Sequence, residues 1–204
     1  PAKEAMPDPG DKEKYNTWVE ARRQQDLELE KNNYEVKESG IEGRGWYAKK
    51  PFSSGEVISH YLVGKYEELR SSEEIEEGSD FDKTAVQCGI TADGSALYIA
   101  VPNNPRRYIN HSCEPDAGIK RRPLQDGGWD SDLVAIRPIR KGEEITLDYS
   151  TTQLEEWEMS NCQCGAKSCR HQITDFARLA PDLQDKYIKQ GIIPDWMSSA
   201  TGNI

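Results

Sequence analysis

Residues 109–116 read Ile-Asn-His-Ser-Cys-Glu-Pro-Asp, and no other stretch constrains the fold as tightly. Asn110, His111, Ser112 and Cys113 follow one another behind the apolar step Tyr108-Ile109. An ordinary core strand would leave such groups buried without partners, at about 1–3 kcal/mol for each. A turn lining a ligand gives them partners instead. A second run, Gly142-Glu143-Glu144-Ile145-Thr146-Leu147-Asp148-Tyr149, follows the turn signal Lys141-Gly142. It continues as a β-prone segment and delivers an Asp and a Tyr at its exit.

The length of 204 residues allows one good core, in one domain or two small ones. With 35% hydrophobic and 30% charged residues, the sequence contains no apolar run near the roughly 18 residues of a membrane span. Its first residues, PAKEAMPDPGDKEK, lack the apolar core of a secretory signal, so a nuclear or cytoplasmic location is expected, neither secreted nor membrane-bound. A net charge of −10, from 36 acidic and 26 basic residues, disfavours a nucleic-acid backbone as primary partner and favours a basic protein or peptide. Of the five cysteines, Cys162, Cys164 and Cys169 lie too close together for a disulfide framework and suit a metal.

Residues 1–10 contain three prolines and read as a leader. A helix is predicted over residues 11–31, with Asp11 as its cap and Tyr15, Trp18, Val19 and Arg22 on one face. Tyr34-Glu35-Val36-Lys37 alternates like a strand, and three glycines follow at 40, 43 and 45. A further strand and turn are predicted over residues 56–64, where His60 reads as an ordinary packed or exposed side chain. Eight carboxylates against Arg70 between residues 67 and 82 form either a solvated face or a dock for a basic peptide. Strands are predicted over 84–90, 97–101 and 132–136, with an Asp93-Gly94 hairpin turn between the first two and Cys88 as a small buried side chain. Lys120-Arg121-Arg122 and residues 125–128 read as a charged, glycine-rich connection. Pro181 and Gly191 bracket a second helix with Leu183 and Tyr187 facing the body, after which residues 192–196 pack against the domain. Many short strands without βαβ alternation predict a mainly β fold, a β-rich α+β arrangement, and reject a Rossmann-type doubly wound sheet.

The phrases RYINHSCEPD and GEEITLDY resemble the hallmarks of the SET-domain protein lysine methyltransferases, approximately R-F-I-N-H-S-C-x-P-N and G-E-E-[LI]-T-x-D-Y. They depart at Asp116, where the family usually has Asn, and at Leu147, where many members have Phe or Tyr. The resemblance implies several small sheets with a knot-like core and flanking helices. The resemblance spans about residues 34–172 and, with the helices read above, divides the chain into a leader and helix over 1–31, a SET domain over 32–152 with an acidic insert at 65–83, a zinc-binding post-SET segment over 153–173 and a helical extension over 174–204. GRGWYA upstream of Gly55-Glu56-Val57-Ile58 matches the family's G-x-G motif, so the backbone of Arg44, Gly45 and Trp46 is expected to meet the methionine part of S-adenosylmethionine.

By the same resemblance, Asn110 and His111 hold that cofactor, and Arg107 lies near it with Arg106 as an adjacent competitor. Tyr61 walls the channel for the substrate lysine, although Lys65 stands where the family has Glu. Tyr149 is the catalytic tyrosine. Leu147 governs the number of methyl groups added; lacking a hydroxyl to retain a water, it is expected to permit more than one. Cys162, Cys164 and Cys169 match C-x-C-x4-C-R and ligate Zn2+ with Cys113, His171 being a substitute ligand. Methyl transfer to an amine needs alignment and a lysine stripped of its proton, which an apolar channel favours by desolvating the ammonium. The activity implied is lysine N-methylation with a histone tail as substrate. The alternatives are a non-histone protein substrate or an inactive peptide-binding module.

Overall fold

The computed structural model describes residues 11–61, 69–76, 85–90, 96–100, 105–123, 129–154, 158–193 and 197–198. The first helix, α1, runs Lys12–Asn33 and begins where the Asp11 carboxylate accepts the Lys14 amide at 3.2 Å. Tyr15 and Trp18 are its buried anchors, and the chain leaves it in extended conformation at Tyr34.

Strand β1, Tyr34–Glu38, pairs antiparallel with β2, Arg44–Ala48, so the glycine-rich stretch is a tight connection entering a strand. Next come β3, Val57–Tyr61, β4, Leu69–Ser71, β5, Ala85–Ile90, and β6, Ala96–Ala100. The Asp93-Gly94 turn lies outside the described residues, but β5 and β6 are antiparallel, with an irregularity between Gln87 and Gly89. Strand β7, Ala117–Pro123, takes in Lys120-Arg121-Arg122, which the charge pattern had placed in a connection. Pairing with β8, Trp129–Ala135, supplies the partners that a basic local sequence does not advertise. Strand β9, Glu144–Ile145, pairs with β2. The short β10, Glu158–Ser160, pairs with β11, Gln172–Thr174.

The sheets are β1-β2-β9, β3-β8-β7, β4-β6-β5 and β10-β11, giving the β-rich fold expected. Most of the acidic insert lies outside the described residues; within it residues 69–76 are described, and 69–74 form β4 and a short 3₁₀ turn. The main core joins Tyr34, Trp46, Phe52, Ile58, Ile109, Leu133, Ile139, Ile145 and Leu147. Trp46 is fully buried, stacked on Tyr34 with ring centroids 3.4 Å apart. Each such side chain contributes about 1.5–3 kcal/mol by leaving water.

Beyond β9 the chain threads: Leu147 forms parallel bridges to both His111 and Ala117. Its amide donates to the Asn110 carbonyl and its carbonyl accepts from Ser112, each at 3.0 Å. The two polar runs read in the sequence therefore cross. A second core of Phe176, Leu179, Tyr187, Ile192, Ile193 and Met197 carries α2, Pro181–Gln190, against Ile136 and Leu154. Proline opens this helix and Gly191 closes it at φ 67°. Pro194 to Trp196 lie outside the described residues. No helix among the described residues is long and apolar enough to cross a membrane.

Candidate functional site

At the crossing, Asn110 is the knot of a polar cluster. Its side-chain amide donates among Ser39 Oγ at 2.9 Å, the Glu42 carbonyl at 3.1 Å, the Arg44 carbonyl at 3.0 Å and Glu144 Oε1 at 2.8 Å. Glu144 also accepts from Ser39 Oγ at 2.7 Å and from the Tyr47 hydroxyl at 3.0 Å. All these donors are neutral, and among the described residues no basic side chain forms an ion pair with Glu144. Burial and the neighbouring Glu144 carboxylate raise the Tyr47 phenol above its ordinary range. Gly45 lies directly under the Glu144 carboxylate, where a Cβ would meet Oε1 at 2.1 Å. A side chain at position 45 would thus have to displace the Glu144 carboxylate. Trp46 turns its ring into the core and Arg44 turns outward, its guanidinium 4.4 Å from the centre of the Tyr108 ring, so this stretch has mainly backbone to offer a ligand.

Tyr149 begins a short 3₁₀ turn after Asp148. Its hydroxyl donates to the Ile109 carbonyl at 2.8 Å and its amide to His111 Nδ1 at 3.2 Å. The rings of His111 and Tyr149 meet edge to face, with centroids 5.4 Å apart. Burial drives the His111 pKa down to about 4, only partly opposed by Asp148, so the imidazole is neutral and Nδ1 is free to accept. Asp148 is wholly buried. One oxygen accepts from Arg170 at 2.8 Å and from the Ser150 amide at 3.1 Å; the other accepts from the Tyr187 hydroxyl at 2.8 Å.

His111, Cys113, Cys162 and Cys164 offer ligand atoms all within 4.8 Å of one another. The Cys113 and Cys162 sulfurs are 3.9 Å apart, close to the edge of about 3.8 Å that four bonds of about 2.3 Å give a zinc tetrahedron. The Cys169 thiol lies against those of Cys162 and Cys164, outside the mutual set. The exposed His171, at φ 60°, donates its amide to Cys169 Sγ at 3.4 Å. Burial pushes the Cys162 thiol up to about 11 and takes Cys113 higher still. At Cys164 burial acts in the same direction, but the amides of Cys113 and Ala166 together with the thiols of Cys162 and Cys169 outweigh it and bring the thiol down to about 7. These donors suit a thiophilic divalent ion.

Arg107 is exposed, whereas Arg106 is buried and donates to Ser59 Oγ at 3.2 Å and to the His60 carbonyl. Tyr61 ends β3, and its side chain lies outside the described residues. His60 has a partner, with Nδ1 2.6 Å from Asp132 Oδ1. Leu147 is buried in the main core. Asp116, the departure from the hallmark, accepts from Thr146 Oγ1 at 2.9 Å and pairs with Arg137. Sequence reasoning gave no separate role to Glu144, Asp148, Arg170 or Tyr187. The first two were letters of a recognised phrase, Arg170 ended the cysteine motif, and Tyr187 was read only as a packing residue of the second helix.

Comparison with known proteins gives a family. The model of the SET domain matches residues 43–150. Human histone-lysine N-methyltransferase 2B is 31% identical over 139 residues, covering 66% of this chain and 5% of that protein. Drosophila virilis histone-lysine N-methyltransferase trithorax is 33% identical over 134 residues, covering 65% of this chain and 3% of that protein. Arabidopsis thaliana histone-lysine N-methyltransferase ASHH3 is 30% identical over 132 residues, covering 64% of this chain and 35% of that protein. The chain therefore spans between 3% and 35% of the length of these relatives. With the domain match extending over just over half of its residues, and with the two crossing segments inside that match, the chain belongs to the SET-domain family.

Proposed function

We propose that the protein is a lysine N-methyltransferase that acts on a histone tail in the nucleus with S-adenosylmethionine as methyl donor. The observation carrying this reading is the Tyr149 hydroxyl, fixed at 2.8 Å on the Ile109 carbonyl beside Asn110 and His111, where the two hallmark segments cross. The bound cofactor supplies a methyl group on a positively charged sulfonium. The carbonyls of Glu42 and Arg44 and the Glu144 carboxylate, balanced by neutral donors alone, suit a ligand with a cationic end. Asn110 and His111 hold the loop against that ligand, and Tyr149 orients the reacting amine. Tyr61 walls the lysine channel, and either Arg107 or the buried Arg106 supports the cofactor segment.

Residues 32–152 form the catalytic domain, 153–173 the zinc-binding segment and 174–204 an extension, with the acidic insert at 65–83 guiding a basic tail. The net charge of −10 supports that substrate class. Cys113, Cys162 and Cys164 hold Zn2+ and Cys169 completes the set. The mutual grouping of the first three with His111 favours a second reading in which the imidazole is the fourth ligand. Leu147 has no hydroxyl to hold a water, so the product carries more than one methyl group. Transfer of labelled methyl from S-adenosylmethionine to histone-tail peptides, with each lysine replaced in turn, tests the activity. Mass spectrometry of the product tests the Leu147 reading, which a strictly monomethylated peptide would overturn. Labelling of non-histone proteins alone would redirect the substrate assignment, and cofactor binding without any transfer would reduce the protein to a binding module.

A further inference from the structure

We propose that α2, which lies beyond the family-matched residues 43–150, is a positioning element of the active site: Tyr187 and Arg170 clamp the buried Asp148 carboxylate and thereby fix the backbone carrying Tyr149. The role in turnover rests on the proposed methyltransferase activity; the structural coupling does not.

A helix that only covered an apolar surface would need no hydroxyl at position 187. Instead a fully buried phenol points its hydroxyl at Asp148, 39 residues earlier and directly before Tyr149. A buried carboxylate is tolerated when its oxygens are matched by a cation and further donors, and here Arg170, Tyr187 and the Ser150 amide provide them. The Asp148 carbonyl is held by the Thr151 amide and hydroxyl and the Tyr149 carbonyl by the Thr152 hydroxyl, all within the same short turn. The Asp148 carboxylate is therefore what ties this turn to Arg170 and α2, and removing one of its donors lets the turn carrying Tyr149 shift against His111 Nδ1.

The helix is held tightly enough to transmit such a constraint. At its start, the Gln184 side-chain amide donates among the carbonyls of Phe176, Ala177 and Leu179 at 2.9–3.1 Å. Just past its end, Ile192 fills the space over Gly118 of β7 so completely that a Cβ there would meet Cγ2 at 2.6 Å. Arg170 adds a link to the metal segment. It follows Cys169, its amide donates to Cys113 Sγ at 3.3 Å, and its Nε and Nη1 are buried without a hydrogen-bond partner, leaving the guanidinium beside the thiol cluster. The clamp thus joins three parts of the chain: the second hallmark, the cysteine segment and α2.

The test compares the wild-type protein with Tyr187→Phe and with Gly118→Ala, which disturbs the seat of Ile192 without touching Asp148. Each is labelled with 3-fluorotyrosine, the Tyr149 resonance being assigned by its loss in Tyr149→Phe. Metal content, melting temperature and steady-state kinetics on a histone-tail peptide are measured alongside. The expected result is a displaced or broadened Tyr149 resonance in both variants and a kcat lowered about tenfold, with KM values within about twofold and metal content unchanged. An unchanged Tyr149 resonance, or a lowered melting temperature with unaltered kcat, overturns the proposal. If the wild-type protein methylates nothing, the functional reading fails while the fluorine spectra still decide whether α2 positions Tyr149.

Discussion

A single methyl group added to Gly45 would meet Glu144 Oε1 at 2.1 Å, although 99 positions separate the two residues. A glutamate carboxylate can ordinarily swing away from such an intrusion. Here Ser39, Tyr47 and Asn110 hold it in place.

Gly45→Ala should therefore destabilise the protein by about 1–3 kcal/mol through overpacking and lost hydrogen bonds. Gly43→Ala, at φ 49° with nothing near its Cβ, should cost about 1–2 kcal/mol from backbone conformation alone. Thermal melts of both single variants, of Glu144→Ala and of the Gly45→Ala/Glu144→Ala double variant test the argument. The double variant should lose less than the sum of its two singles, and strict additivity would show that Gly45 and Glu144 do not interact.

Tyr149→Phe removes the hydroxyl bonded to Ile109 and keeps the ring packed on His111. Turnover should fall at least about a hundredfold with the circular dichroism spectrum and cofactor affinity retained. Undiminished turnover would remove the central support for the proposed activity.

Chelation should release metal and expose residues 158–174, because the binding energy of a small metal site is also folding energy. Hydrogen exchange should rise across β10 and β11 first. Cys162→Ser should abolish the uptake of about one zinc per chain. Cys169→Ser should weaken uptake strongly and His111→Ala only slightly; the reverse order would make the imidazole the fourth ligand.

Arg137 is half in water but balances Asp116, whose carboxyl burial raises above the usual range despite Thr146 and the guanidinium. An acid raised in the folded state penalises folding as pH climbs from its unfolded value through its folded one, and losing Arg137 extends that window upward. Arg137→Ala should cost about 1–2 kcal/mol near neutrality, below the figure for a fully buried pair. Melting curves should show a smaller deficit at about pH 4 than at about pH 7; a deficit independent of pH would point to packing alone.

The helices were legible because their caps are local: Asp11, Pro181 and Gly191 act within a turn of their own positions. The β-rich class followed from strand-length apolar runs, and the clustering of Cys162, Cys164 and Cys169 from their spacing. What escaped were bonds that exist only after folding. Ser39 meets Glu144 across 105 residues and Tyr187 meets Asp148 across 39, and no periodicity marks either. Lys120-Arg121-Arg122 read as a loop because basic residues are poor evidence for a strand until a partner such as β8 is known. Between the adjacent arginines, the sequence favoured Arg107 by motif alignment, whereas the structure buries Arg106.

The parallel bridges from Leu147 to His111 and Ala117 also bear on how the protein is made. On a ribosome, the first polar turn emerges more than thirty residues before the strand that must lie alongside it. Asn110 can already meet Ser39, Glu42 and Arg44, but until that later segment has left the exit tunnel and slipped into place, its carbonyl lacks the Leu147 amide, Ser112 lacks the Leu147 carbonyl and His111 lacks the Tyr149 amide.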